Sequence, residues 1–273
     1  MKVVLCDTNE TVCRLWRQLL QGLSPYSARI HHGELCEAMK ELESGQKERD
    51  TDNGAPGTKA VGNCSIAIVS PGNSFGFLGG GFDLGIRDYF GGVPFEGWLR
   101  EALHCSYSPV GSVKAIDVTS YSRNLRNNVK YVVYTPTVVA PCRSLFEASR
   151  AVRTGYEPVF NATWSALTGT PKDVETLVMP GMCTGYVGVP ASVSCKSMAF
   201  ALKLYLLEND VSEELKNVLI MCFLGYPFKP FWAKECMKEC ELLGIEWEDL
   251  DKFDVKVDDI DRLLPFNRPC PTV

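Results

Sequence analysis

The sequence predicts an α/β protein, a three-layer α/β/α sandwich around a mixed sheet. Three observations carry that expectation. Short apolar runs alternate with helical stripes along most of the chain. The runs are continuous rather than alternating apolar and polar, as in strands covered on both faces. Two of the runs end in glycine-rich segments that lead directly into a helix.

The elements follow in order. Val3 to Cys6 reads as a buried strand, and Asp7-Thr8-Asn9 as a helix start before the stripe Val12, Leu15, Trp16, Leu19, Leu20. Gly22 and Pro25 end that helix. Ala28 to His31 is a second strand, and Leu35, Met39 and Leu42 mark a second helix. Gly45 to Asn63 has almost no large apolar residues and is expected to be a solvated, mobile loop. Strands follow at Ser65 to Val69, Val113 to Val118 and Tyr131 to Thr135. Phe146 to Leu167 reads as a helix interrupted near Gly155 and Pro158. Thr176 to Met179 is a strand and Ser192 to Leu207 a strong helix. Val218 to Leu224 reads as a last apolar strand, and Phe231 to Leu243 as a final helix stopped by Gly244. The acidic, then proline-rich segment 247–273 is expected to be a solvated helix and tail. The whole of 1–273 is expected to form a single domain.

Composition narrows the function classes. With 45% hydrophobic residues, a chain of 273 residues can build a full core. A net charge of −5 argues against general binding to nucleic acid or to acidic membranes. A small phosphate ligand remains open, because backbone N–H groups bind anions without net positive charge. The N-terminal apolar run is too short for a signal-peptide core, and no stretch has the apolar length of a membrane helix, so an intracellular protein is expected. The twelve cysteines include no CxxC pair, which argues against a zinc site and a disulfide framework. No metal and no cofactor are expected.

Ligands of sheets of this kind sit beyond the carboxyl ends of the strands, which directs attention to two loops. The first runs Ser70-Pro71-Gly72-Asn73-Ser74-Phe75-Gly76-Phe77-Leu78-Gly79-Gly80-Gly81-Phe82-Asp83, and its three consecutive glycines let main-chain N–H groups approach a ligand. The second runs Pro180-Gly181-Met182-Cys183-Thr184-Gly185-Tyr186-Val187-Gly188-Val189-Pro190. A helix begins directly after each, so its positive end faces the same place. Each N–H to an anionic oxygen is worth roughly 1.5–3 kcal/mol. Neither GxGxxG nor GxxxxGK[ST] occurs, which argues against a dinucleotide-dependent dehydrogenase and a P-loop NTPase.

These loops resemble the two signatures of the macro domain family. The first signature is a strand, an Asn-Ala-Ala-Asn-like turn, then Gly-Gly-Gly-Val-Asp. It corresponds to Ser70-Pro71-Gly72-Asn73 and Gly79-Gly80-Gly81-Phe82-Asp83. The second, a proline followed by Ser/Thr-Gly-x-x-Gly-x-Pro, corresponds to Pro180 and Thr184 to Pro190. The resemblance spans about residues 28 to 228 and looks closest to a fungal-type branch described as ADP-ribose 1''-phosphate phosphatases. It implies a pocket for ADP-ribose or ADP-ribose 1''-phosphate. Ser70, Asn73, Gly79, Gly80, Gly81 and Phe82 would line the distal ribose and its phosphate, and Thr184, Gly185, Tyr186, Val187 and Gly188 would wrap the diphosphate. Asn73 and Asp83 would be catalytic, Asp83 directing a water. Glu34, in Gly33-Glu34-Leu35, stands where the family has an adenine-binding Asp, and Tyr226 would stack on the base. Ser70 replaces the first Asn of the turn, and Tyr134 stands where many members have a histidine. The resemblance favours phosphate-ester hydrolysis, with a binding-only module and an ADP-ribosyl hydrolase as the alternatives.

Overall fold

The computed structural model describes residues 1–24, 26–52, 65–121, 129–141, 144–207 and 211–265. A six-stranded sheet runs through the molecule in the order β2-β1-β6-β3-β5-β4. Its strands are β1 (Lys2–Asp7), β2 (Ala28–His32), β3 (Ile66–Ser70), β4 (Lys114–Asp117), β5 (Val129–Tyr134) and β6 (Thr176–Met179). All neighbours are parallel except β4, which pairs antiparallel with β5 at the edge. The five parallel strands therefore end on one rim.

Successive residues of a strand point to opposite faces, and the two cores follow that alternation. Val3, Leu5, Ala67, Val69, Leu177 and Met179 face one core, while Val4, Cys6, Ile66, Ile68 and Val178 face the other. The first core is covered by α1 (Glu10–Leu19), α5 (Glu157–Gly169), α6 (Ala191–Leu206) and α7 (Glu213–Phe223). The second is covered by α2 (Leu35–Asp52), α3 (Gly81–Tyr89) and α4 (Val93–Ala102). This is the expected three-layer sandwich. The crossover from β1 to β2 passes through α1 on one face, and the crossover from β2 to β3 passes through α2 on the other. The chain thus reverses its winding beside β1, and in such sheets a crevice opens there.

Four expectations need correction. The run Val218 to Leu224 is helical: Ser212 caps α7 by accepting from the Leu215 N–H, and Glu213 and Glu214 occupy its first turn. A short apolar run cannot be told from a buried helix by its pattern, and these start signals decide it. The place in the sheet between β2 and β6 belongs to the N-terminal strand β1. Next, α2 continues to Asp52, so the first part of the expected 45–63 loop is helical; residues 53–63 lie outside the described residues. The helix α8 (Lys234–Leu243) does end at Gly244, in a left-handed cap with φ 69°, but it is not the last. The fourth correction concerns the segment after it. α9 (Trp247–Lys252) and a 3₁₀ turn at Ile260–Arg262 follow, and Leu250, Val255, Ile260, Leu263 and Leu264 are buried in the first core. Polar ties hold this segment to α6, with Lys196 Nζ donating to the carbonyls of Val255 and Asp258 and Lys203 pairing with Asp261. Residues 266–273 of the expected tail lie outside the described residues.

The 247–265 segment is therefore part of the fold rather than a solvated appendage. Replacing Ile260, which is fully buried, with alanine is expected to lower unfolding free energy by about 2–5 kcal/mol. Urea denaturation measures this, and a change within about 0.5 kcal/mol, as for a surface site, would contradict the packing.

Candidate functional site: a cleft at the carboxyl rim of the sheet

A cleft of about 860 Å³ opens on the rim where the parallel strands end, a size typical of small-molecule sites. Each strand end contributes to its wall. Asp7 and Thr8 follow β1, Gly33 to Leu35 follow β2, and Pro71 to Asn73 with Gly79 to Asp83 follow β3. Thr137 to Pro141 stand beyond β5, and Pro180 to Val187 beyond β6.

The two glycine loops meet here. A Cβ built on Gly80 would lie 3.4 Å from the Cε2 and hydroxyl of Tyr186. In the first loop, Gly80 is the N-cap of α3 and offers no side-chain cap, so the N–H groups of Gly81, Phe82 and Asp83 project from an open helix end. The N–H groups of Gly79 and Gly80 also have no acceptor among the described residues. In the second loop, the same holds for Thr184, Gly185, Tyr186 and Val187. That loop is nevertheless well held. Val189 N–H donates to the Cys183 carbonyl, Gly188 N–H to the Gly185 carbonyl, and the Ser194 hydroxyl to the Met182 carbonyl at 2.7 Å. Two rigid sets of unspent donors facing one cleft form an anion cradle.

Asp7 ties this cradle to the sheet. One of its carboxylate oxygens accepts from Asn9 N–H (2.8 Å) at the start of α1, and the other from Gly181 N–H (3.1 Å) in the second loop. Neither Asp7 nor Thr8 was singled out from the sequence. Their signal was there, an acid directly after an apolar strand, but Asp7-Thr8-Asn9 was read only as a helix start.

Asp83 is the titratable group to consider. It is buried (7% exposed) yet lines the cleft. Its Oδ1 accepts a 2.8 Å hydrogen bond from the hydroxyl of Ser70, which is fully buried. Its Oδ2 lies against the backbone of Gly72, so close that a Cβ there would sit 2.6 Å away. Glycine at 72 is what admits the carboxyl to this place. Burial raises its pKa from 3.8 to about 7, against the Ser70 hydrogen bond, which lowers it. The group is therefore able to hold or release a proton near neutrality.

Asn73 is engaged differently from expectation. Its Oδ1 accepts from Phe75 N–H (3.1 Å) and Phe77 N–H (3.4 Å), and its Nδ2 donates to the Phe77 carbonyl (2.7 Å). It faces the cleft but builds the turn beside it. Tyr134 is a brace too, its hydroxyl donating to the Asn73 carbonyl and accepting from Gly76 N–H; burial pushes its pKa to about 12. Cys183 is a neutral thiol, raised to about 12 by burial.

Of the residues read from the sequence, Glu34, Asn73, Gly79, Gly80, Gly81, Phe82, Asp83, Thr184, Gly185, Tyr186 and Val187 line the cleft together. Three do not. Ser70 stands behind Asp83 and acts through it. Gly188 packs against Ser144, whose Oγ would lie 2.3 Å from a Cβ at that position. Tyr226 follows α7, its ring against the Arg153 guanidinium and its hydroxyl donating to Glu157 at 2.8 Å. It sat next to the wrong strand in the sequence reading, and the adenine contact expected of it has no basis in this fold. Among the described residues no three His, Cys, Asp or Glu side chains cluster as metal ligands, and no helix is long and apolar enough to cross a membrane.

The sequence profile described as "Macro-like domain" matches residues 1–268. The chain belongs to the macro-like domain family. An uncharacterized protein of Aquifex aeolicus (strain VF5) is 33% identical over 156 residues, covering 54% of this chain and 83% of that protein. Among solved structures, the Oceanobacillus iheyensis macrodomain with MES bound is 19% identical, with a TM-score of 0.42 over 55% of this chain and 74% of its own. A mutant of that macrodomain with ADPR is 16% identical, with a TM-score of 0.34 over 53% and 73%.

The raised pKa of Asp83 has a thermodynamic consequence. Its folded pKa of about 7 exceeds the ordinary aspartate value of 3.8. The native state thus holds a proton that the unfolded state has lost between those values, and stability falls as pH rises through that window. Relative to Asp83→Asn, the protein is expected to lose up to about 4 kcal/mol between pH 4 and pH 8. Denaturant titration across that range measures it, and parallel pH profiles for the two proteins would contradict it.

Proposed function

We propose that the cleft binds ADP-ribose and that the protein hydrolyses ADP-ribose 1''-phosphate to ADP-ribose and inorganic phosphate. The observation that carries this reading is the convergence of two unpaired N–H sets on one cleft, at Gly79 to Asp83 and Thr184 to Val187. The diphosphate lies across the second loop. The adenosine reaches toward Asp7, Thr8 and Glu34, with the Glu34 carboxylate accepting from the adenine amino group. The distal ribose and its phosphate lie by the triple glycine, beside Asp83. Membership of the macro-like domain family supports an ADP-ribose ligand for this cleft.

Catalysis follows from Asp83. A carboxyl whose pKa lies near 7 takes a proton from an attacking water while the open N–H groups of α3 stabilise charge on the phosphoryl oxygens. The water oxygen bonds to phosphorus, the P–O bond to the ribose breaks, the departing anomeric oxygen takes the proton held by Asp83, and ADP-ribose and phosphate leave. This poised acid is what favours turnover over binding alone. In this chain Asn73 serves by fixing the loop, since its amide is already bonded to Phe75 and Phe77.

Two outcomes are expected. ADP-ribose raises the melting temperature while AMP has a much smaller effect, and Gly185→Val, at a position where an added Cβ meets no atom within 4 Å apart from its chain neighbours, weakens ADP-ribose binding at least tenfold with little change in the unliganded Tm. Equal responses to AMP and ADP-ribose would overturn the binding assignment. Phosphate release from ADP-ribose 1''-phosphate falls at least a hundredfold in Asp83→Ala, in line with the usual contribution of a general base; an unchanged rate would remove Asp83 from the mechanism, whereas ADP-ribose bound tightly with no phosphate released would leave a binding module.

A further inference from the structure

Phe75 and Phe77 also line the cleft, on the loop that carries Asn73 and leads into the Asp83 helix. Both rings are substantially exposed, at 38% and 46%, and Tyr107, 53% exposed, lies against Phe75 with ring centroids 5.9 Å apart. These aromatics are held in place rather than loosely displayed. Asn73 Oδ1 accepts from both phenylalanine N–H groups, and its amide donates back to Phe77. Gly76 between them has φ +76° and donates to Tyr134 Oη at 3.1 Å. Leu78 N–H, just after them, is held by Glu96 at 2.7 Å. Core packing does not explain a turn so thoroughly braced to keep two phenyl rings in solvent. A rigid, exposed aromatic pair on a ligand cleft is pre-organised for stacking.

The charge behind the pair defines what it accepts. The Arg100 guanidinium lies 3.9 Å from the Phe77 ring centroid, and its Nε donates to the Phe75 carbonyl at 3.4 Å. It lies over one face of Phe77, a residue that remains 46% exposed on the cleft wall. A cation on one face draws on the ring's negative quadrupole, so the ring disfavours a second cation and suits a neutral or electron-rich flat group.

We infer that Phe75 and Phe77, backed by Arg100, form a stacking subsite for a neutral or electron-rich aromatic group carried on the anomeric carbon of the distal ribose. This rests on the placement of ADP-ribose given above. It extends the substrate class from the simple phosphate ester to ADP-ribosyl conjugates of flat aromatic groups.

Two stable C-glycosidic ADP-ribose analogues test it by calorimetry, identical except that the anomeric carbon carries phenyl in one and methyl in the other, with free ADP-ribose measured beside them. The phenyl conjugate is expected to bind about tenfold more tightly than the methyl conjugate. The ratio is expected to fall to within twofold in Phe77→Leu, which keeps an apolar side chain and loses the flat face, and to shrink in Phe75→Leu. The inference is overturned if the wild-type protein binds the two conjugates equally, or if the preference survives in the Phe75→Leu/Phe77→Leu double variant. Failure of free ADP-ribose itself to bind would overturn both this inference and the reading on which it rests. ADP-ribose binding without a phenyl preference would overturn the aromatic subsite alone.

Discussion

Main-chain donors that the fold leaves unpaired are the constraint on which the site depends. Buried or semi-buried N–H groups are ordinarily satisfied within the protein. Here Gly79 to Asp83 and Thr184 to Val187, some buried and some exposed to the cleft, leave theirs without a partner among the described residues and line one cleft. Such groups suit a diphosphate in an acidic protein, because they supply positive potential without lysine or arginine. The cost is that both loops must be rigid without using those donors on themselves, which is why they are pinned from behind. Asn73, Tyr134, Ser194 and Asp7 each hold a loop by a carbonyl or by an N–H at its margin.

The sheet order brings the loops together. β3 and β6 are adjacent, so the loops that follow them emerge side by side. β1, adjacent to β6 on the other side, adds Asp7, whose carboxylate fastens Gly181. Strand order, loop anchoring and ligand chemistry are thus one chain of cause. The same logic reaches the distal end, where absence of a side chain at Gly72 makes room for the Asp83 carboxyl and Ser70 holds its far oxygen. Where a histidine base is lacking, a buried carboxyl occupies the titration range a histidine would cover.

The layers and most of the cleft were legible in the sequence because they rest on strong local signals. Continuous apolar runs mark buried strands, and the glycine-rich loops 70–83 and 180–190 follow two of them. What escaped depends on tertiary context. The run 218–224 is as apolar as a strand, and its helical state is announced by Ser212, Glu213 and Glu214 just upstream. Reading it as a strand carried Tyr226 into the site, while Asp7 and Thr8 were read only as the start of α1. The buried positions Leu250, Ile260, Leu263 and Leu264 are scattered among acids, so their packing was hidden by composition. That Ser70 acts behind Asp83, and that Asn73 spends its amide on the Phe75-Gly76-Phe77 turn, are matters of side-chain direction that spacing does not encode.

The central claim is that both sets of main-chain N–H groups bind one ligand at once, and amide-resolved NMR during titration with ADP-ribose tests it most directly. The amide protons of Gly79 to Phe82 and of Thr184 to Val187 should move downfield together along a single binding isotherm, with those of the 247–265 segment unmoved. Perturbation of one loop alone, or of neither while other amides shift, would contradict the account.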